Sequence, residues 1–304
     1  MDKETKKQHY VFQGYLKPWA EDDLIYCLRE GKIFQTNLNG VACERFFYEI
    51  QTLTPHETEV VINLFSDHPS QSLKQAQKDF LSMYSQPLIL RSELDANAPQ
   101  RIREALDRII REGEESLHQK IEDELLVFIR RMLAGDTGFY SDNEQAAKFL
   151  HAICVQYTRT KQIREATTKL TGTTFRGCDV RRMMSVLAPL MAMAVAQSLY
   201  VDKEQFVLVL LENETDTPFI TADQPIINLH HLLNGKPPLK FELYYPLSPT
   251  KAMLLVERES PYDRLPSSVS INNYNVMMLK NSCEQVFSNS GEYLNSLRSV
   301  IGLG

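Results

Sequence analysis

Met183–Leu211 reads MMSVLAPLMAMAVAQSLYVDKEQFVLVLL, and its two halves follow different periods. The apolar stretch Met183–Val201 approaches the ~20 residues that a membrane span needs. Ser185, Pro189, Gln197 and Ser198 interrupt it, and Arg181 and Arg182 stand directly before it. We therefore read it as a buried core helix, capped by Asp179. Phe206–Leu211 is a short, strand-like apolar run closed by the turn cluster Asn213–Thr217. A long helix handing over to strands sets the fold class.

Downstream the strand signal continues. Pro218–Thr221, Phe241–Tyr245 and Ala252–Glu257 read as strands, separated by turn clusters at Asn234–Pro238 and Ser248–Thr250. A helix is expected over about Ile271–Lys280, and a final helix or strand plus helix closes the chain. Upstream the period is helical. Thr54-Pro-His-Glu57 opens a helix with a capping box, Ser72–Tyr84 predicts another, and Ser85–Pro99, with Pro87 and Pro99, reads as a connection or a partly irregular segment. Gln100–Leu133 is helical, with Gly113 a possible break and Gly135 a C-cap. Ser141-Asp-Asn-Glu144 starts a helix running to about Leu170. Before all of these, Leu24–Leu28 and Ile33–Thr36 flank Glu30-Gly31-Lys32 as a hairpin.

The expected architecture is α+β and mostly helical, with an N-terminal β-hairpin and a C-terminal, mainly antiparallel sheet. We expect one integrated domain over 1–304, with a helical middle at about 54–200 and a β-rich part at about 205–290, since no glycine- or serine-rich linker divides it.

The net charge of −6 and pI near 5.7 exclude a uniformly cationic nucleic-acid binder. Charge is uneven, however. Between Arg159 and Arg182 seven basic residues face two acidic ones, a pattern that reads either as a solvated face or as a phosphate-tracking surface. Five cysteines without a CxxC pair suit reduced thiols. No apolar segment follows the polar start MDKETKKQHY, so a cytoplasmic protein without membrane attachment is expected. No nucleotide-binding glycine loop, HExxH or GxSxG motif is present. The adjacent pair His230-His231 reads as a polar loop pair, because neighbours on a strand point to opposite faces.

Six short blocks stand out: His9-Tyr-Val-Phe-Gln-Gly-Tyr-Leu16, Glu44-Arg-Phe-Phe-Tyr48, Gln156-Tyr-Thr-Arg-Thr160, Phe219-Ile-Thr-Ala-Asp-Gln-Pro225, Pro246-Leu-Ser-Pro249 and Asn272-Asn-Tyr-Asn275. In this order and spacing they resemble the domain-of-unknown-function family 4238, an uncharacterised and largely bacterial family, from about His9 to Ser288. Phe12, Lys161 and Ala222 depart from the family pattern. The resemblance implies a role in phage defence, which is linked to some members.

The polar residues of these blocks carry two readings each. Arg159, three residues from Gln156 on one helical face, is either an ion-paired structural arginine or a phosphate clamp. Asp223 is a turn former or a site carboxylate at a strand end. His9 is packed among aromatics or is an acid–base group. Glu44 is an exposed loop carboxylate or a metal ligand. Two functions are therefore expected. One is a hydrolytic, nuclease-like effector on a phosphate-containing substrate, with catalytic His9, Glu44 and Asp223. Gln156, Arg159 and Asn273 would bind the substrate, and Asp223 and Glu44 would hold a divalent metal such as Mg. The other is a non-catalytic module that recognises nucleic acid or a phage component.

Overall fold

The computed structural model describes residues 7–169, 173–230, 240–258, 260 and 268–300. Its helices are α1 (Gln13–Leu16), α2 (Pro55–Ser66), α3 (Gln71–Glu93), α4 (Gln100–Leu133), α5 (Asn143–Thr158), α6 (Lys161–Thr168), α7 (Val180–Val201), α8 (Ser268–Asn281) and α9 (Gly291–Val300). Its strands are β1 (Lys7–His9), β2 (Leu24–Arg29), β3 (Lys32–Asn37), β4 (Cys43–Arg45), β5 (Phe206–Glu212), β6 (Thr221–Ala222), β7 (Ile227–Asn228), β8 (Leu243–Ser248), β9 (Lys251–Glu257) and β10 (Gln285–Ser288). The fold is α+β and mainly helical, as expected. The turn cluster Asn234–Pro238, His231 and Leu170 lie outside the described residues.

The N-terminal hairpin closes through a two-residue turn. Glu30 and Gly31 have φ of 51° and 71°, the doubly positive pair of a type I′ turn, which matches the twist of its strands. The hairpin is half of a larger sheet. The chain's penultimate element, β10, pairs with β2, and β6 pairs with β10, in the order β3-β2-β10-β6. The C-terminal sheet has the order β5-β9-β8-β7 and is antiparallel throughout.

Helix ends follow the expected capping chemistry. At α2, Thr54 Oγ1 accepts the Glu57 N–H at 3.2 Å and Glu57 Oε2 accepts the Thr54 N–H at 2.8 Å, a full capping box. At α4, Gly135 has φ 83°, and the N–H groups of Gly135 and Asp136 return to Met132 and Arg131 carbonyls, both at 2.9 Å. That is a Schellman ending, and Gly113 leaves the helix unbroken.

Three expectations are corrected. The Ser85–Pro99 segment is not a connection as far as Glu93, because α3 continues through Pro87. Tyr84 is anchored below the proline by a 2.6 Å hydrogen bond to Ser185, and Arg91 above it by a 2.6 Å bond to Asp107. The long helix from Ser141 is two helices. Arg159 ends α5, and Thr160, with extended backbone (ψ 160°), caps α6 by accepting the Ile163 N–H. Finally, of the strand expected at Pro218–Thr221 only Thr221 joins a sheet, as the first residue of β6. The Phe219 and Ile220 N–H groups instead donate to the Pro249 carbonyl and to Asn275 Oδ1.

Among the described residues α7 is the one helix long and apolar enough to cross a membrane, and half of its most apolar window is buried in the molecule. It packs against α3, α5 and α6. The main core joins the N-terminal aromatics Tyr10, Tyr15 and Trp19 to α4, α5, β8 and β9.

Candidate functional site

The six sequence blocks meet in space and hydrogen-bond to one another. Gln156 Nε2 donates to the Tyr10 carbonyl at 2.9 Å, and the Tyr48 hydroxyl to the His9 carbonyl at 3.4 Å. The Tyr15 hydroxyl donates to the Pro246 carbonyl at 2.8 Å and lies 2.6 Å from Thr221 Oγ1. Thr160 Oγ1 bonds the Gln224 side chain. Asn275 Oδ1 accepts the Ile220 N–H at 3.1 Å. Buried polar groups require such partners, and here each block supplies them for another.

Within this frame Asp223 is fully buried. Its Oδ1 accepts the Cys283 N–H at 2.8 Å, and its Oδ2 accepts those of Glu284 and Gln285 at 2.7 and 2.9 Å. Burial drives its pKa up to about 6, against the pull of these three amides. Glu44 pairs with Lys161 Nζ at 2.7 Å, and the same ammonium reaches Glu284 at 2.7 Å. Among the described residues no group of three or more His, Cys, Asp or Glu side chains is arranged to hold a metal ion.

Arg159 is 2% exposed. Its guanidinium bonds Gln156 Oε1 at 2.8 Å and Glu122 Oε1 at 2.7 Å. His9, in β1, lies 3.3 Å through Nε2 from Gln13 Nε2, and its main chain is near enough to the Glu115 carboxylate to lower that group's pKa against burial. Burial lowers its pKa. His9, Gln156 and Arg159 therefore belong to one neighbourhood, while Glu44 and Asp223 belong to a second, around Lys161 and Glu284. Tyr10 stands between the two, with its carbonyl on Gln156 and its hydroxyl 3.5 Å from Gln285 Nε2. Asn273 belongs to neither of these sets of contacts. It is exposed on α8, and Asn275 is the buried asparagine of its block.

The sequence reading missed the richest polar cluster. Glu114 and His118 of α4 are buried, with Nε2 of His118 3.3 Å from Glu114 Oε1, and the Tyr48 ring packs 4.3 Å from the imidazole. Arg164 Nη2 lies 3.9 Å from the same Oε1. Burial pushes Glu114 up to about 8 and Glu115 up to about 7, and it holds His118 well below its ordinary value, so the imidazole is neutral. A signal was present in the pattern. Positions 114, 118 and 122 continue backwards, by sevens, the apolar stripe of Ile121, Leu125 and Ile129.

A surface cleft of about 210 Å³ opens beside this cluster, lined by Glu44, Arg45, Phe47, Lys161, Arg164 and Arg181 among others. Arg164 donates to the Phe47 carbonyl at 2.7 Å, with its guanidinium 4.0 Å from that ring's centre. Arg45 and Arg111 sit 5.0 and 5.9 Å from the Phe46 ring centre, which concentrates positive charge at the lip.

The model of the family DUF4238, described as a protein of unknown function, matches residues 7–292. The chain belongs to the DUF4238 family. The match takes in all six blocks and every strand described above, so the DUF4238 frame is the whole mutual network and not one lobe of it. No curated protein and no solved structure matches the chain.

Proposed function

We propose that this DUF4238 protein is a phage-defence module that binds a phosphate-bearing ligand, nucleic acid foremost, in the cleft between β4 and α6. The observation that carries this reading is the cleft's lining, where Arg45, Lys161, Arg164 and Arg181 stand against Glu44 and Glu165 beside two phenylalanines. Cationic side chains interleaved with aromatic rings suit a sugar–phosphate backbone. The basic segment from Arg159 to Arg182 supplies three of the four cations. In this reading Gln156, Arg159 and Asp223 hold the frame that positions the cleft, and the phage-defence assignment rests on the family resemblance.

A hydrolytic version is the second reading, but it draws no general acid from Glu114, which burial raises to about 8: that carboxyl lies behind Arg164 and does not line this cleft. Metal-assisted cleavage draws less support, since both Asp223 oxygens are engaged by main-chain amides.

The test is fluorescence anisotropy with labelled single-stranded RNA, single-stranded DNA and duplex DNA, followed by gel analysis with Mg, with Mn and with EDTA. Binding that weakens about tenfold in R45E/R181E and loses salt dependence supports the cleft. Equal affinity of wild type and variant removes it. Cleavage that persists in EDTA supports the hydrolytic version.

A further inference from the structure

The C-terminal sheet ends on β5, and among the described residues no strand pairs with its outer edge. Two backbone bonds fix which groups point that way. The Asn213 N–H donates to the Thr250 carbonyl at 2.8 Å, and the Arg258 N–H to the Gln205 carbonyl at 2.8 Å. Hydrogen-bonded pairs alternate along an antiparallel ladder, so the odd-numbered residues of β5 bond β9 and the even-numbered ones face outward. These are Phe206, Leu208, Leu210 and Glu212. The Phe206 N–H is used locally, by the Lys203 carbonyl. The Phe206 carbonyl and both main-chain groups of Leu208, Leu210 and Glu212 bond no described residue.

Such an edge pairs with any strand that reaches it unless charge, proline or a bulge guards it. β3, an edge strand of the other large sheet, is guarded by Lys32, Gln35 and Asn37. From Phe206 to Leu211, β5 carries no polar residue, no proline and no shift of register against β9. Phe206, Leu208 and Leu210 lean on the main core, and Val207 and Val209 on the core beneath α8 and α9, and all five stay partly exposed. The edge therefore presents hydrocarbon on both faces of the sheet.

The strand is complementary to itself. About a two-fold axis through Val209, Leu208 of one copy stands opposite Leu210 of the other, and the two exchange both main-chain bonds. Phe206 stands opposite Glu212, whose N–H meets the free Phe206 carbonyl. An axis at Leu208 or at Leu210 would leave one end of the strand unpaired. The two ends also differ in charge. Beside Phe206, a cleft of about 310 Å³ sets Lys203 and Arg258 against one carboxylate, Glu204. Residues directly opposite share a face, so Glu212 of the second copy arrives at this cleft. Its side chain is 58% exposed, although it pairs with Lys251 at 3.0 Å, and Glu214 and Asp216 follow it in the chain.

We propose that β5 is the interface of a homodimer, in which the edges of two copies pair antiparallel about Val209 and join their C-terminal sheets into one.

The experiment is sedimentation of the full chain at about 1–100 µM, for wild type and for Val209→Lys shown to be folded by circular dichroism. Wild type is expected at twice the chain mass of 35.0 kDa. Val209→Lys sets two ammonium groups face to face on the axis and is expected to weaken the dimer at least about tenfold. Val209→Cys reads the register. Opposite residues of a non-hydrogen-bonded pair have Cα atoms about 4.5 Å apart, within disulfide reach, so diamide cross-links Val209→Cys into a covalent dimer that dithiothreitol reverses. Val207→Cys, opposite Leu211, cross-links no more than wild type. A wild type that stays at 35.0 kDa throughout, a Val209→Lys dimer of unchanged affinity, no cross-link in Val209→Cys, or equal cross-linking of the two cysteine variants would each overturn the proposal.

Discussion

Asp223 and Gln285 are joined in both directions across 62 positions of sequence: the Gln285 N–H donates to Asp223 Oδ2 at 2.9 Å, and the Asp223 N–H donates to the Gln285 carbonyl at 2.9 Å. The Gln285 side chain extends the link, because its Oε1 accepts the Ala42 N–H at 3.2 Å. One buried carboxylate thus starts β10, the strand that stitches the N-terminal hairpin to the C-terminal half.

Removing that carboxylate strands three N–H groups, that of Gln285 buried and those of Cys283 and Glu284 part-buried. Asp223→Ala is expected to lower unfolding stability by about 3 kcal/mol, read as a drop in the urea midpoint at unchanged slope. Asp223→Asn keeps one acceptor oxygen and should lose less. A loss below about 1 kcal/mol for the alanine variant would show that the β10 turn holds without its cap.

The Arg159–Glu122 pair tests a different link, the seam between α4 and the α5–α6 break. Arg159→Ala leaves Glu122 and Gln156 without their cation and should cost about 3 kcal/mol, whereas Glu122→Gln should cost less because an acceptor oxygen remains. A double-mutant cycle measures the coupling, and a value near zero would contradict a 2.7 Å pair in which the guanidinium is buried and the carboxylate half-buried.

How much of this was legible beforehand depended on where the signal resides. The hairpin, the α2 capping box and the Gly135 ending are local, since each is decided by a few neighbouring residues. The α5–α6 break was hidden because Thr160 caps without an acidic partner three residues on, where Ile163 stands, and its side chain is fixed by Gln224 from a distant segment. The choice between Asn273 and Asn275 needed the burial of α8, which periodicity in a short polar block does not give. Glu114 and His118 looked like ordinary members of an acidic, solvated helix. Only the packing of Tyr48 and Arg164 from other segments makes that face an interior one.

That burial has a consequence at neutral pH. Glu114 holds its proton up to about 8 in the folded protein, against 4.5 for the free side chain. The folded state therefore binds more protons than the unfolded state between these values, and stability falls as pH rises through them. Asp223, raised to about 6 from 3.8, acts in the same sense over a lower range. Thermal unfolding of Glu114→Gln should show a flatter dependence on pH, with the variant more stable than wild type above pH 8. An unchanged slope would place the proton elsewhere.

Glu57 sets the opposite limb. Burial opposes its ionisation, but Arg182 and the Thr54 and Asp179 amides outweigh it and hold its pKa down to about 2, from 4.5. The same carboxylate closes the α2 capping box and accepts the Asp179 N–H at 2.9 Å and Arg182 Nη2 at 2.6 Å, so it ties the start of α2 to the start of α7. A depressed carboxylate contributes stability that is full above its unfolded pKa and is lost as pH falls through the folded one. Glu57→Gln should therefore unfold at lower temperature than wild type at pH 6, and the gap should close as pH falls from 4.5 towards 2. Because this loss sits on the acid side and that of Glu114 on the alkaline side, wild-type stability should peak between them. A gap at pH 6 that stays constant down to pH 2 would show that Glu57 acts through packing alone.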